Sequence, residues 1–202
     1  MIPETFVLAT HNAHKVAEFQ HMLGARFPGL TVVSYDGPEP IEDGTTFAEN
    51  ALIKARAAAA HTGLPALADD SGLCVDVMNG SPGIFSARWA GTRRNDVANM
   101  TLLLEQLSDV PDAHRGAYYA CVIALVVPAT PGSPARETVV EGRWRGVLER
   151  APRGDGGFGY DPIFVPDGAT LTAAEMAPDE KNARSHRAIA LVELEKVLSD
   201  LR

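Results

Sequence analysis

Two adjacent acids, Asp69 and Asp70, stand inside the apolar run Ala66-Leu67-Ala68-Asp69-Asp70-Ser71-Gly72-Leu73-Cys74-Val75. The flanks predict burial. Carboxylates brought together out of water repel one another and lose hydration, which costs several kcal/mol unless a cation or hydrogen bonds offset it. In a strand the two side chains point to opposite faces. One acid can then reach a cavity while the other makes structural hydrogen bonds. Hard oxygen donors with no Cys/His cluster favour Mg²⁺ over Zn²⁺.

The cations that could face these acids, or an anionic ligand, fall at helix starts. Lys15 lies in the first turn of a predicted helix. His186 and Arg187 lie behind Ser185 in the first turn of another, with Lys181 just ahead of it. A basic side chain there opposes the macrodipole by a few tenths of a kcal/mol. Two helices that break the same rule point to an anion at both N-termini, where amides, dipole and base converge on phosphate or carboxylate. Solvated surface charge is the competing reading for Lys15. It is weaker for Ser185-His186-Arg187, where three polar groups precede an apolar helix. Glu42 and Asp43 sit in a loop, and Glu49 suits a helix start for dipole reasons alone.

Gly154-Asp155-Gly156-Gly157-Phe158-Gly159 matches G-x-G-x-x-G. A dinucleotide loop must open a helix; here Pro162 and Pro166 follow closely, so a Rossmann reading is poor. No P-loop pattern occurs. The loop reads either as a hinge or as a flexible segment presenting Phe158, Tyr160 and Asp161, with an aromatic able to stack on a base.

The elements that must position these groups alternate. Phe6–Ala9 and Thr31–Tyr35 read as strands, with an Asn12-capped helix between them carrying Val16, Phe19, Gln20 and Leu23. Residues 36–45 form a loop. An Ala-rich helix follows from Thr46 to His61, with Gly63 as its stop. Ala66–Asp70 and Leu73–Val77 are strand-like, and Asn79–Gly83 is a turn. Asn95 caps a helix bearing Val97, Met100, Leu103, Leu104 and Leu107. Ala117–Val127 and Glu137–Trp144 read as long strands, Pro162–Val165 as a short one, and Ser185–Leu201 as the last helix. This is α/β with a mixed sheet, and the 202 residues suffice for one domain of two lobes.

The net charge of −8 disfavours a general nucleic-acid binder. No apolar run approaches the roughly 20 residues of a membrane helix. Met1-Ile2-Pro3-Glu4 lacks the regions of a signal peptide, so a cytoplasmic location is expected. Cys74 and Cys121 read as reduced core residues.

Six segments, in order, resemble the inosine triphosphate pyrophosphatase family. They are Thr10-His11-Asn12-Ala13-His14-Lys15; Thr46-Phe47-Ala48-Glu49-Asn50-Ala51; Ala68-Asp69-Asp70-Ser71-Gly72-Leu73; Pro82-Gly83-Ile84-Phe85-Ser86-Ala87-Arg88-Trp89-Ala90-Gly91; Gly157-Phe158-Gly159-Tyr160-Asp161-Pro162; and Glu175-Met176 with Glu180-Lys181-Asn182 and Ser185-His186-Arg187. The resemblance implies a single two-lobed α/β domain over residues 1–202, with an elongated mixed sheet flanked by helices and a cleft between lobes. It implies a homodimer that hydrolyses ITP, dITP and XTP to the monophosphate and pyrophosphate with Mg²⁺, and that binds neither nucleic acid nor membrane. Thr10, His11, Asn12, Ala13, His14 and Lys15 would hold the phosphates. Asp70 would bind the metal and act as base, beside Ser71. Phe158, Gly159, Tyr160, Asp161, Lys181, His186 and Arg187 would hold the base and nucleotide. Glu42 is expected to complete the metal site, with Glu39 as competitor. Many relatives have Gly where this chain has His11. A pyrophosphatase for other nucleotides and a non-catalytic nucleotide sensor are the rival readings.

Overall fold

A computed structural model describes residues 4–200. Met1-Ile2-Pro3 and the expected helix end at Leu201 lie outside them. The strands are β1 (Thr5–Leu8), β2 (Thr31–Ser34), β3 (Ala66–Val75), β4 (Gly116–Val127), β5 (Arg136–Leu148) and β6 (Phe164–Pro166). They form one six-stranded sheet in the order β2-β1-β3-β4-β5-β6. β1 pairs in parallel with β2 and β3, whereas β5 pairs antiparallel with β6, so the sheet is mixed as expected. The helices are α1 (Ala13–Arg26), α2 (Phe47–Thr62), α3 (Asp96–Gln106), α4 (Pro178–Arg184) and α5 (His186–Asp200).

Local chemistry sets the helix ends. The Asn12 side chain accepts from the amides of His14 and Lys15 and starts α1. Thr46 and Glu49 form a reciprocal capping box on α2, and Gly63, at φ 68°, ends it in the left-handed region that only glycine adopts without strain. Asn95 caps α3 through the Ala98 amide. Three elements differ from the expectation. β3 is one strand through Asp69–Gly72, because the acids find partners, and Asp76–Met78 then turns as a 3₁₀ helix. The expected strand at Pro162 begins instead with a 3₁₀ turn, Asp161–Ile163. Lys181 lies inside α4, which Pro178 opens at its first position.

The described residues divide into two compact units, 4–70 with 121–142 and 190–200, and Ser71–Ala120 with Arg143–Ile189. In the first unit, alternate side chains of each strand enter different clusters. Phe6, Leu8, Cys121, Ile123 and Leu125 pack with Phe19 and Leu23 of α1 and Leu191, Leu194 and Leu198 of α5. Val7, Ala66, Ala68, Val122 and Ala124 pack with Ala51, Ala55, Ala58 and Ala59 of α2. Both sheet faces are thus covered, which explains strands with no polar alternation. Cys74 and Cys121 are buried and free, as expected.

In the second unit Leu73, Val75, Leu103, Leu107, Trp144 and Phe164 share one core. Phe164 meets the edges of Tyr119 and Trp144 at centroid distances of 4.9 and 5.3 Å. Arg115 is also buried here. Its guanidinium donates to the carbonyls of Leu107 (2.7 Å), Leu148 (2.9 Å) and Glu149 (2.8 Å), joining the end of α3 to the end of β5. Replacing it strands three acceptors at once. Arg115→Met should lower unfolding free energy by about 3 kcal/mol, read by urea denaturation; a loss below about 1 kcal/mol would refute the structural role.

Candidate active site

In the first unit each acid of the Asp69-Asp70 pair faces a different lysine. Asp69 is buried and takes Lys15 Nζ on both carboxylate oxygens at 2.9 Å. Lys54, from the middle of α2, donates to the Asp69 carbonyl at 2.7 Å. Its ammonium lies 3.4 Å from Glu42 Oε2 and 3.9 Å from Asp70 Oδ1. Glu42 and Asp70 therefore converge on one cation. Glu39 is engaged elsewhere, 3.3 Å from His11 Nδ1.

His11 acts as a clasp. Its Nε2 donates to the Gly37 carbonyl at 3.1 Å and its ring stacks on Tyr35 with centroids 5.9 Å apart. Both of its polar partners are acceptors, so only the doubly protonated ring makes both contacts at once. Of the remaining predicted phosphate ligands, Thr10 Oγ1 accepts the Asn12 amide at 3.2 Å, and Ala13 and His14 are exposed at the start of α1. The Asn12 side chain and Lys15 are thus already in use, as helix cap and as partner of Asp69.

The donor set suits a hard divalent ion. No cluster of three or more His, Cys, Asp or Glu able to hold a metal occurs among the described residues. Two carboxylates facing one ammonium do fit an ion that takes one or two carboxylates and fills its other positions with phosphate and water.

In the second unit every predicted site residue, Ser71, Phe158, Gly159, Tyr160, Asp161, Lys181, His186 and Arg187, lines one pocket of about 140 Å³. Ser185 Oγ accepts the Ala188 amide at 3.3 Å, which fixes the first turn of α5 and so presents His186 and Arg187. The His186 ring stacks on Tyr119 at 5.0 Å and 14°. Asp161, 3% exposed, accepts the Phe158 amide at 2.7 Å and the Lys181 ammonium, and it bonds the Tyr119 hydroxyl. These bonds make Asp161 the holder of the loop rather than an acceptor open to a ligand's amino group. The Phe158 ring is 66% exposed and carries Lys181 Nζ 4.9 Å from its centroid.

Sequence reasoning missed Lys54, Ser86, Asp96 and Tyr119. Lys54 is the one long cation in the alanine-rich run from Ala48 to Ala60 other than Arg56, and it shares a helical face with Asn50, a signal that could have been used. Tyr119 shows no local sign; it reaches His186 only through the fold.

Burial, reinforced by Asp161, pushes the Tyr119 phenol well up, and burial, reinforced by Asp96, pushes Tyr160 up. Both are neutral donors; the Tyr160 hydroxyl donates to the Ser86 carbonyl at 2.8 Å. An acid whose folded pKa is raised stabilises the fold below its unfolded value. That contribution is lost as pH rises from about 10. Stability should therefore fall in alkali as tyrosinate absorbance appears, and a double Tyr119→Phe, Tyr160→Phe variant should show a shallower fall. An equal slope would count against these two phenols.

The model of the Ham1 family matches residues 6–197. A dITP/XTP pyrophosphatase of Leifsonia xyli subsp. xyli is 58% identical over 195 residues, covering 96% of each chain. One of Streptomyces coelicolor is 52% identical over 96% of this chain and 97% of its own. Among solved structures, a HAM1 protein from Coxiella burnetii is 44% identical with a TM-score of 0.88, over 99% of this chain and all of that one. The Staphylococcus aureus Ham1 protein is 34% identical with a TM-score of 0.87, over 98% of this chain. The expected fold is borne out by these likenesses, and the relatives' names are those of nucleoside triphosphate pyrophosphatases. With the family model spanning nearly the whole chain and identity this high over nearly full length, the chain belongs to the Ham1 family.

Proposed function

We propose that this chain, acting as one functional domain, hydrolyses deaminated purine nucleoside triphosphates (ITP, dITP and XTP) to the monophosphate and pyrophosphate with Mg²⁺. The observation that carries the reading is the single pocket that gathers the Phe158 ring, the His186 imidazole and the Arg187 guanidinium. Its first lining residue, Ser71, is bonded directly to Asp70.

Phe158 supplies a face on which a purine stacks. His186 and Arg187 donate to the 6-oxo group of hypoxanthine or xanthine. Adenine offers an amino donor there, so a buried donor of the protein is left unpaired, and the wrong base is rejected. Guanine shares the 6-oxo group and is excluded at its 2-amino group by the pocket wall around Phe158. The segment Thr10–Lys15 and the Lys54 ammonium take the phosphates. Asp70 and Glu42 hold Mg²⁺, whose chemistry when bound is neutralisation of phosphate charge.

Asp70 accepts a proton from the attacking water. The water oxygen bonds to the α-phosphorus, the bridge to the β-phosphate breaks, and its electron pair leaves with pyrophosphate. Positioning and electrostatic stabilisation carry most of the rate.

The same reading includes a homodimer working on free nucleotides in the cytoplasm, without nucleic acid. No helix among the described residues is long and apolar enough to cross a membrane. Light scattering that returns a monomer mass would remove the dimer from the proposal.

Pyrophosphate release from ITP, XTP, GTP and ATP, with and without Mg²⁺, tests the reading as a whole. ITP and XTP should react and ATP should not; equal rates for ATP and ITP refute it. Asp70→Asn should cut turnover by about 100-fold or more with the melting temperature nearly kept. Near-normal release by that variant would sink the assignment of the base. Arg187→Ala should narrow the preference for ITP over ATP; unchanged selectivity would count against its role.

A further inference from the structure

The loop that presents Phe158 is held by few bonds. Four of its residues from 154 to 159 are glycine, and Gly154, Gly157 and Gly159 adopt φ of 84°, 70° and 64°. Such a backbone has little intrinsic preference and loses much entropy when fixed. The Phe158 ring is largely exposed, so packing does not hold it. Its position is set by what its backbone is tied to.

Two carboxylates tie consecutive amides. Asp161 accepts from the Phe158 N–H at 2.7 Å, but it lies only three residues on and anchors the loop mainly to itself. Asp96 accepts from the Gly159 N–H at 2.8 Å, from 63 residues away in sequence. Asp96 opens α3, whose Met100 and Leu103 are buried in the core of the same unit. It also lines the pocket. Lys181 adds a second long-range tie, to Asp161 and over the Phe158 ring. Asp96 is therefore the bond that fixes the loop's main chain to a rigid helix, next to the aromatic face.

We propose that Asp96 is a positioning residue for base recognition: its carboxylate holds the Gly159 amide so that the Phe158 ring stands ready to stack on the purine. The inference rests on the base-binding role proposed for this pocket. A carboxylate that only opened α3 would affect stability. One that holds the platform affects substrate affinity, and the chemistry at the phosphates is untouched.

The test is steady-state pyrophosphate release from ITP by wild type, Asp96→Ala, Asp96→Asn and Asp96→Ser, each with its melting temperature. Asp96→Ala should raise KM for ITP by about five- to tenfold, the worth of one hydrogen bond to a charged group at a partly exposed site. kcat should stay within about twofold by the same reasoning, since no transition-state contact is lost. Asp96→Asn retains an acceptor oxygen and should restore most of the affinity. Asp96→Ser suits a helix start but is too short to reach the amide; it should behave like Asp96→Ala, and it decides the matter if the alanine variant does not fold. An unchanged KM in either folded short variant, or a loss confined to kcat, overturns the proposal. Wild type with no ITP turnover would instead refute the functional reading, so the two failures are distinct.

Discussion

The first unit depends on how two buried acids in the middle of a strand are neutralised. Asp69 and Asp70 point to opposite faces of β3, and each face supplies one ammonium. Lys15, on the first turn of α1, takes Asp69; Lys54, within α2, stands by Asp70 and Glu42. These contacts are not a large source of stability, because burying charge costs nearly what pairing returns. They fix position. The two helices that cover opposite faces of the sheet are tied to one dipeptide, and the loop bearing Glu42 is drawn to the same cation. The strand runs unbroken through its acids for this reason.

The second unit solves a different problem with the same chemistry. Its pocket is walled by a glycine-rich loop that cannot hold its own shape. Asp161, almost wholly buried, gathers the Phe158 amide, the Lys181 ammonium and the Tyr119 hydroxyl. Tyr119 in turn stacks on His186, which Ser185 places at the start of α5. An acid is thus spent on architecture so that an aromatic ring, an imidazole and a guanidinium face one space. The boundary between the units falls at the peptide bond joining Asp70 to Ser71. A single strand therefore carries the proposed metal ligand and the first residue of the base pocket.

Most of the helix ends were legible because their causes are local. Asn12, the Thr46–Glu49 box, Gly63 and Asn95 act within four residues, and each did what its type predicts. The G-x-G-x-x-G loop opens no helix, as the following prolines indicated. Other features were not local and were missed. Two acids in sequence suggested a break in the strand, but lysines from 54 and 15 residues away removed the reason for one. Arg115 reads as an exposed cation in a loop; only the turn of three carbonyls toward it makes it a core residue.

The candidate site divides in the same way. Residue types and order were enough to single out Asp70, Lys15, the Phe158–Asp161 segment and the Ser185-His186-Arg187 start, since each breaks a rule that solvent or helix dipole would otherwise enforce. The sequence determined the α/β alternation and the kinds of group available for a hard metal, phosphates and a purine. Only the tertiary structure decided which partner each group has: Lys54 for Glu42 and Asp70, His11 for Glu39, Tyr119 for His186, Asp96 for Gly159. Those choices depend on contacts between side chains far apart along the chain, and residue spacing carries no record of which strand or helix will lie across from which.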